Sequence, residues 1–187
     1  WKLIITSDSS TPSDPPTTSG TTYTGSSVSA TSQGVFTSDL AISASGTITD
    51  INIQLDATSG SWGFNGKDLK LVSPYGTAVD LMVSTNPTGY SLSATTLDDE
   101  ATTTISSSSP PYFGSFQPDG NLSDFDGQSM TGTWTLWIYS SDADSYNSMS
   151  VSSWKLHILK VGEDTTSPTT NITSSAAPAT ATSPIPV

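Results

Sequence analysis

Two stretches of strict alternation toward the end of the chain decide what it can fold into. Between Gly127 and Tyr139, Trp134, Leu136 and Ile138 fall on one side of an extended backbone while Thr133, Thr135, Trp137 and Tyr139 fall on the other, as a strand with one buried face requires. Trp154, Leu156 and Ile158 repeat the device, with Ser153, Lys155 and His157 outward. Asp142 to Asn147 between them is rich in turn formers, so the two stretches are predicted to pair as a β-hairpin. Full burial of each large apolar side chain is worth roughly 1.5 to 3 kcal/mol, which makes this pair the expected anchor of the core.

The rest of the chain supplies more strands and no helix. Val35 to Ser43 and Thr47 to Asp56 alternate, with Leu40 and Ile42 facing one way, Ile51, Ile53 and Leu55 forming the inward row of the next strand, and Gly46 in the turn between them. Asp68 to Val72 and Thr77 to Val83 flank Ser73-Pro74-Tyr75-Gly76 as a third hairpin-like pair. Residues 84–126 are expected to be mostly loop, carrying Asp98-Asp99-Glu100 and a Ser/Pro run. No segment sustains helical periodicity.

Outside these strands the chain is polar. Thr6 to Gly20 and Asp164 to Val187 are Ser/Thr/Pro-rich, so both are predicted to be extended linkers flanking a domain at residues 21–163. Trp1-Lys2-Leu3-Ile4-Ile5 nearly repeats Trp154-Lys155-Leu156-His157-Ile158. The echo reads as the end of a preceding repeat or a donated strand, with Trp1, Leu3 and Ile5 docking on a neighbouring copy so that subunits join head to tail. The chain starts at Trp1 without a methionine or a signal peptide, which reads as a processed product or a segment of something longer.

Charge and composition remove several function classes. A net charge of −12, with five lysines and no arginine, is unsuited to nucleic acid or an anionic membrane surface. The absence of cysteine removes disulfides, thiol chemistry and Cys-ligated zinc. No apolar run approaches the roughly 20 residues of a membrane helix. The sole histidine, His157, lies on the outward side of its strand with no nucleophile motif to pair with, so no enzyme is expected. A carboxylate-pair glycosidase built on Asp98, Asp99 and Glu100 is chemically conceivable, but adjacent acids in a loop more often meet water or a cation.

Seven ordered blocks carry a family resemblance. They are Ser45-Gly-Thr-Ile-Thr-Asp-Ile-Asn-Ile, Asp68-Leu-Lys-Leu-Val-Ser-Pro-Tyr-Gly-Thr, Leu97-Asp-Asp-Glu-Ala, Phe116-Gln-Pro-Asp-Gly, Leu122-Ser-Asp-Phe-Asp-Gly-Gln-Ser, Gly132-Thr-Trp-Thr-Leu and Ser153-Trp-Lys-Leu. Over about residues 24 to 160 the chain resembles the P domain, or homo B domain, of proprotein convertases and bacterial secreted subtilisin-like proteases. The resemblance implies an all-β, jelly-roll type β-sandwich of about eight strands that is not itself catalytic and assists an adjacent protease. The turn Asp142-Ala-Asp-Ser-Tyr-Asn is more acidic and less Gly-rich than the family's usual one.

Calcium takes six to eight oxygens from carboxylates, carbonyls and water, and some bacterial P domains carry it in their loops. Asp98, Asp99 and Glu100, with Asp68 as partner, are therefore the expected Ca2+ ligands; Asp124, Asp126, Asp142 and Asp144 stand behind them. Asn121-Leu122-Ser123 and Asn171-Ile172-Thr173 fit the N-glycosylation pattern, whereas Pro87 excludes Asn86. Trp62, Tyr112 and Phe113 are candidate exposed aromatics for carbohydrate or protein-surface binding. The sequence reading is thus a non-catalytic extracellular or cell-surface module repeated in a glycosylated array or fibre. Its alternative is the accessory P domain of a secreted subtilisin-like serine protease.

Overall fold

The computed structural model describes residues 18–83, 89–142 and 145–161. They fold into ten strands in two layers: β1 Thr18–Gly25, β2 Val28–Ala30, β3 Gly34–Ile42, β4 Thr47–Ser59, β5 Lys67–Val72, β6 Ala78–Met82, β7 Ser91–Leu97, β8 Tyr112–Phe116, β9 Gly132–Ser140 and β10 Met149–Val161. One sheet has the order β1-β10-β4-β7-β8, with β2 also paired to β10; the other has the order β3-β9-β5-β6. The class is the all-β sandwich expected, with two strands more than the estimate.

The face assignments read from alternation hold at the centre of the sandwich. Trp134, Leu136, Ile138, Trp154, Leu156 and Ile158 are all buried in one core, joined by Ile51, Ile53 and Leu55 of β4 and by Leu69 and Leu71 of β5. Phe125 meets Trp134 edge-on, with ring centroids 5.1 Å apart. Trp137 lies on the outer face, stacked on Tyr139, with the Lys70 ammonium 5.8 Å from the centre of its ring. Leu40 is only partly buried, whereas Ile42 is in the core.

The expected β9–β10 hairpin does not form. β9 pairs with β3 and β5, while β10 pairs with β1, β2 and β4, so the two Trp-Leu-Ile rows belong to opposite layers of the sandwich. Period two specifies which side of a strand is buried and says nothing of which strand lies beside it. The same correction applies to β3 and β4, which were expected to turn back on one another at Gly46 and instead belong to different sheets. Only β5 and β6 form the hairpin foreseen, with Leu71 opposite Val79 and the Ser73 N–H donating to Thr77 O at the turn.

Two strands lie where loop was expected. β7 joins β4 antiparallel and β8 parallel. Its alternation is broken at Ala94, whose φ is +46° and whose N–H donates to Asp56 Oδ1 at 2.7 Å, opposite an irregularity in β4. The break moves burial from Leu92 to Thr95 and Leu97, and Thr95 Oγ1 then donates to Tyr112 O of β8 at 2.6 Å. A bulge of this kind erases the period that identifies a strand in sequence.

At the N-terminal boundary, β1 begins at Thr18, inside the stretch read as linker, and pairs with β10 from Val161 to Trp154. Gly25 closes that ladder against the Trp154 indole, where a Cβ would come within about 2 Å of ring atoms. The assembly strand Trp1, Leu3 and Ile5, the linker residues 6–17, and Asp164 to Val187 with Asn171 lie outside the described residues.

Candidate functional site

The sandwich has two chemically different ends. At one, where β7 leaves its sheet, Asp98 Oδ1 accepts the Glu100 N–H at 2.9 Å. Both oxygens of Asp99 accept backbone N–H groups from the short 3-10 helix Leu122–Phe125: Leu122 on Oδ1 at 3.0 Å and Ser123 on Oδ2 at 2.8 Å. Asp50 of β4 and Asp126 join this end. Burial, then the charges of Asp98 and Asp99, raise the Asp50 carboxyl, despite a lowering backbone hydrogen bond at Ile51. Burial, then Asp50 and Asp99, raise Asp126. A hydrogen bond with the Asp98 side chain is the main cause raising Glu100. Burial at Asp50 and Asp126 and the Asp98 hydrogen bond at Glu100 are the main causes of these upward shifts, and neighbouring like charges add to them.

Of the four carboxylates expected to share one calcium ion, Asp98, Asp99 and Glu100 stay together where β7 ends, and Asp68 does not join them. Asp68 is on β5 in the other sheet, opposite Tyr139 and next to Lys67, at the far end of the sandwich. Asp99 spends both oxygens on the 3-10 helix, and among the described residues no three His, Cys, Asp or Glu side chains are grouped to hold a metal ion. Asp50, the member of the acidic end that went unremarked, stands in the Ser45 to Ile53 block between Thr49 and Ile51. Asn121, the expected glycan acceptor, is exposed and makes no side-chain cap to the 3-10 helix it precedes.

At the opposite end a lysine is fully buried. Lys67 opens β5 on the same side as Leu69 and Leu71, and a lysine in an inward row is the signal that sequence reasoning passed over. Its ammonium donates to Ser140 Oγ at 2.9 Å and to Asp142 Oδ2 at 2.5 Å. That same oxygen accepts from Asn147 Nδ2 at 2.5 Å. Asn147, 2% exposed, also donates to Asn65 O and accepts the Trp62 N–H on Oδ1 at 3.2 Å. Burial works against the charge on Asp142, but the bonds from Lys67 and Asn147 and the lysine charge outweigh it and hold the carboxyl below its usual range. Asp142, considered as a calcium ligand, is instead the counter-ion of Lys67.

Three loops meet around this end. Gly60 N–H donates to Ser148 O, Ser61 N–H to Tyr146 O and Ser59 N–H to Tyr90 O. They leave Trp62, Tyr90 and Tyr146 exposed, and Phe113 is exposed on β8. Tyr112, expected among the exposed aromatics, is buried and packs edge-on against Phe116, because β8 points it inward from Leu92 of β7. His157 is on the outer face as predicted, its Nδ1 2.8 Å from Thr22 Oγ1 beside a depression of about 250 Å³ that Asp50 and Asn52 also line. Burial and then the Lys155 charge lower its pKa, so it is held neutral and ties β1 to β10.

This architecture defines a class: an all-β, two-layer sandwich module whose buried polar groups serve the fold. Residues 67–158, from the start of β5 nearly to the end of β10, match the family model of the proprotein convertase P-domain. No curated protein matches the chain. Among solved structures, the serine protease of Aeromonas sobria is similar over 81% of this chain and 28% of its own, at 13% identity and a TM-score of 0.49. The complex of that protease with the chaperone matches over 79% of this chain and 28% of the other, at 13% identity and a TM-score of 0.50. FlhE matches over 78% of this chain and 98% of its own, at 13% identity and a TM-score of 0.47. At 13% identity the likeness to the protease–chaperone complex is one of fold alone, and the chain spans just over a quarter of the length of the protease chains.

Proposed function

We propose that the chain is the accessory, non-catalytic P domain of a secreted serine protease, acting outside the cell to stabilise a catalytic domain in the same polypeptide. The observation that carries this reading is the match of β5 to β10 to the proprotein convertase P-domain. The protease fold likeness at a TM-score of 0.50, over about a quarter of that chain, agrees with a module attached to something larger. These findings favour the accessory role over the repeat of a glycosylated fibre that the Trp1 to Ile5 echo suggested. That echo, and the head-to-tail docking built on it, rest on residues outside those described. Among the described residues no helix is long and apolar enough to cross a membrane. The expected glycan on Asn121 is compatible with its exposure and with export.

Isolation of the native polypeptide that contains this chain, with sequencing outward from both ends, tests the proposal. A serine protease domain is expected, and deleting residues 18–161 from that polypeptide should lower the melting temperature of the protease or abolish its secretion in active form. A native polypeptide made of tandem copies of this chain would overturn the proposal in favour of the fibre.

A further inference from the structure

We infer that Lys67 and Asn147 are the two halves of an intramolecular amide cross-link, formed without an enzyme inside the folded domain, with Asp142 moving the protons. A primary amine and a carboxamide become an amide and ammonia when they are held together, kept dry and given a proton shuttle. All three conditions meet here. Lys67 is fully buried and Asn147 is 2% exposed. Their nitrogens are each 2.5 Å from the same Asp142 oxygen, so they lie within about 5 Å of one another. Ser140 Oγ fixes the amine from a second side, and Asn65 O engages the carboxamide nitrogen. The carboxamide oxygen accepts the Trp62 backbone N–H, the donor required where negative charge develops as the carbonyl is attacked.

The step balances within these groups. The Asp142 carboxylate takes a proton from the Lys67 ammonium and frees the nitrogen lone pair. That nitrogen attacks Asn147 Cγ, a carbon–nitrogen bond forms, and the carbonyl π pair moves onto Oδ1 against the Trp62 N–H. Protonated Asp142 then returns its proton to Nδ2, the carbonyl re-forms, and the Cγ–Nδ2 bond breaks with its electron pair leaving on nitrogen. The surplus proton on the new amide nitrogen passes through Asp142 to the departing ammonia. The products are the Lys67–Asn147 amide, one ammonium ion and the Asp142 carboxylate, and no oxidant or reductant takes part. The bond ties the start of β5, in one sheet, to the segment that carries the chain from β9 to β10 in the other. In a chain with no cysteine, it would supply the covalent staple that a disulfide supplies elsewhere.

Intact mass spectrometry of the full chain under denaturing conditions tests the inference, with circular dichroism to verify folding beforehand. The amide makes the protein about 17 Da lighter than its sequence, through loss of ammonia from the lysine–asparagine pair. Trypsin, which has no arginine to cut at here, no longer cleaves after Lys67 and releases residues 3–70 joined to residues 71–155. Lys67→Arg, which cannot be acylated in this way, restores the full mass and the separate fragments. A folded wild-type protein at its full sequence mass would overturn the inference. So would the same loss persisting in Lys67→Arg, which marks a succinimide at an asparagine, or a loss of water with Lys67 joined to Asp142.

Discussion

Trp154 Nε1, on β10 of the six-stranded sheet, donates to Ser38 Oγ, on β3 of the four-stranded sheet, at 3.0 Å, and also reaches Ser26 O at 2.9 Å. The largest side chain of the core thus joins the two layers by a hydrogen bond as well as by packing. In the other layer the Trp134 indole N–H donates locally, to Met130 O just ahead of β9, at 3.0 Å. Trp134→Ala and Trp154→Ala are each expected to cost about 3 to 5 kcal/mol through lost burial, a cavity and an orphaned acceptor. Trp137→Ala, on the outer face, should cost clearly less. Chemical denaturation of the three variants checks this, and equal midpoints would defeat the face assignment.

Gly25 is the position where β1 meets that indole. An added methyl would come within about 2 Å of the Trp154 ring, so Gly25→Ala forces either the strand or the indole to move, at a cost of about 1 to 3 kcal/mol. Gly34→Ala meets no atom within 4 Å but has a φ of +140°, so its cost comes from backbone strain alone. The two variants should therefore differ in near-ultraviolet circular dichroism: Gly25→Ala changes the tryptophan signal and Gly34→Ala leaves it alone. An unchanged tryptophan signal in Gly25→Ala would refute the close approach.

Asp99 caps the 3-10 helix with both oxygens, so Asp99→Asn should cost about 1 kcal/mol from the lost charged acceptor. The cost should be the same in calcium and in chelator. Asp68→Asn, at the other end of the sandwich, should leave any calcium effect on the melting temperature untouched. A calcium-dependent rise abolished by both substitutions would show that the two residues share an ion after all.

The acidic end gives stability a distinctive pH dependence. Asp50, Asp126 and Glu100 have folded-state pKa values raised above the ordinary 3.8 and 4.5. The folded chain therefore holds these protons more tightly than the unfolded one, and stability falls as pH rises through the raised values. Asp142 has the opposite sign: its lowered value makes its contribution present above 3.8 and lost as pH falls below it. Asp50→Asn is expected to raise the thermal midpoint at pH 7, with the gain shrinking as pH falls towards the ordinary 3.8. A lower midpoint at pH 7 in that variant would contradict a carboxyl raised by burial and by Asp98.

Some of this protein was legible in its residues alone. Alternation in Thr133 to Tyr139 and Ser153 to Ile158 identified two strands and their buried faces, because side-chain direction in a strand is a local property of the backbone. The Ser73 to Gly76 turn likewise specified the β5–β6 hairpin. The tertiary structure decided what those strands paired with. β9 and β10 separate into opposite sheets because each Trp-Leu-Ile row can be covered from the other layer while the edges find partners in β3 and β5 or in β1 and β4. That outcome compares many long-range contacts at once, and no local period encodes it. The same holds for the sites: adjacency in sequence grouped Asp98, Asp99 and Glu100, whereas Asp50 and Asp126 reached them, and Asp142 and Asn147 reached the buried Lys67, only when distant segments were folded together.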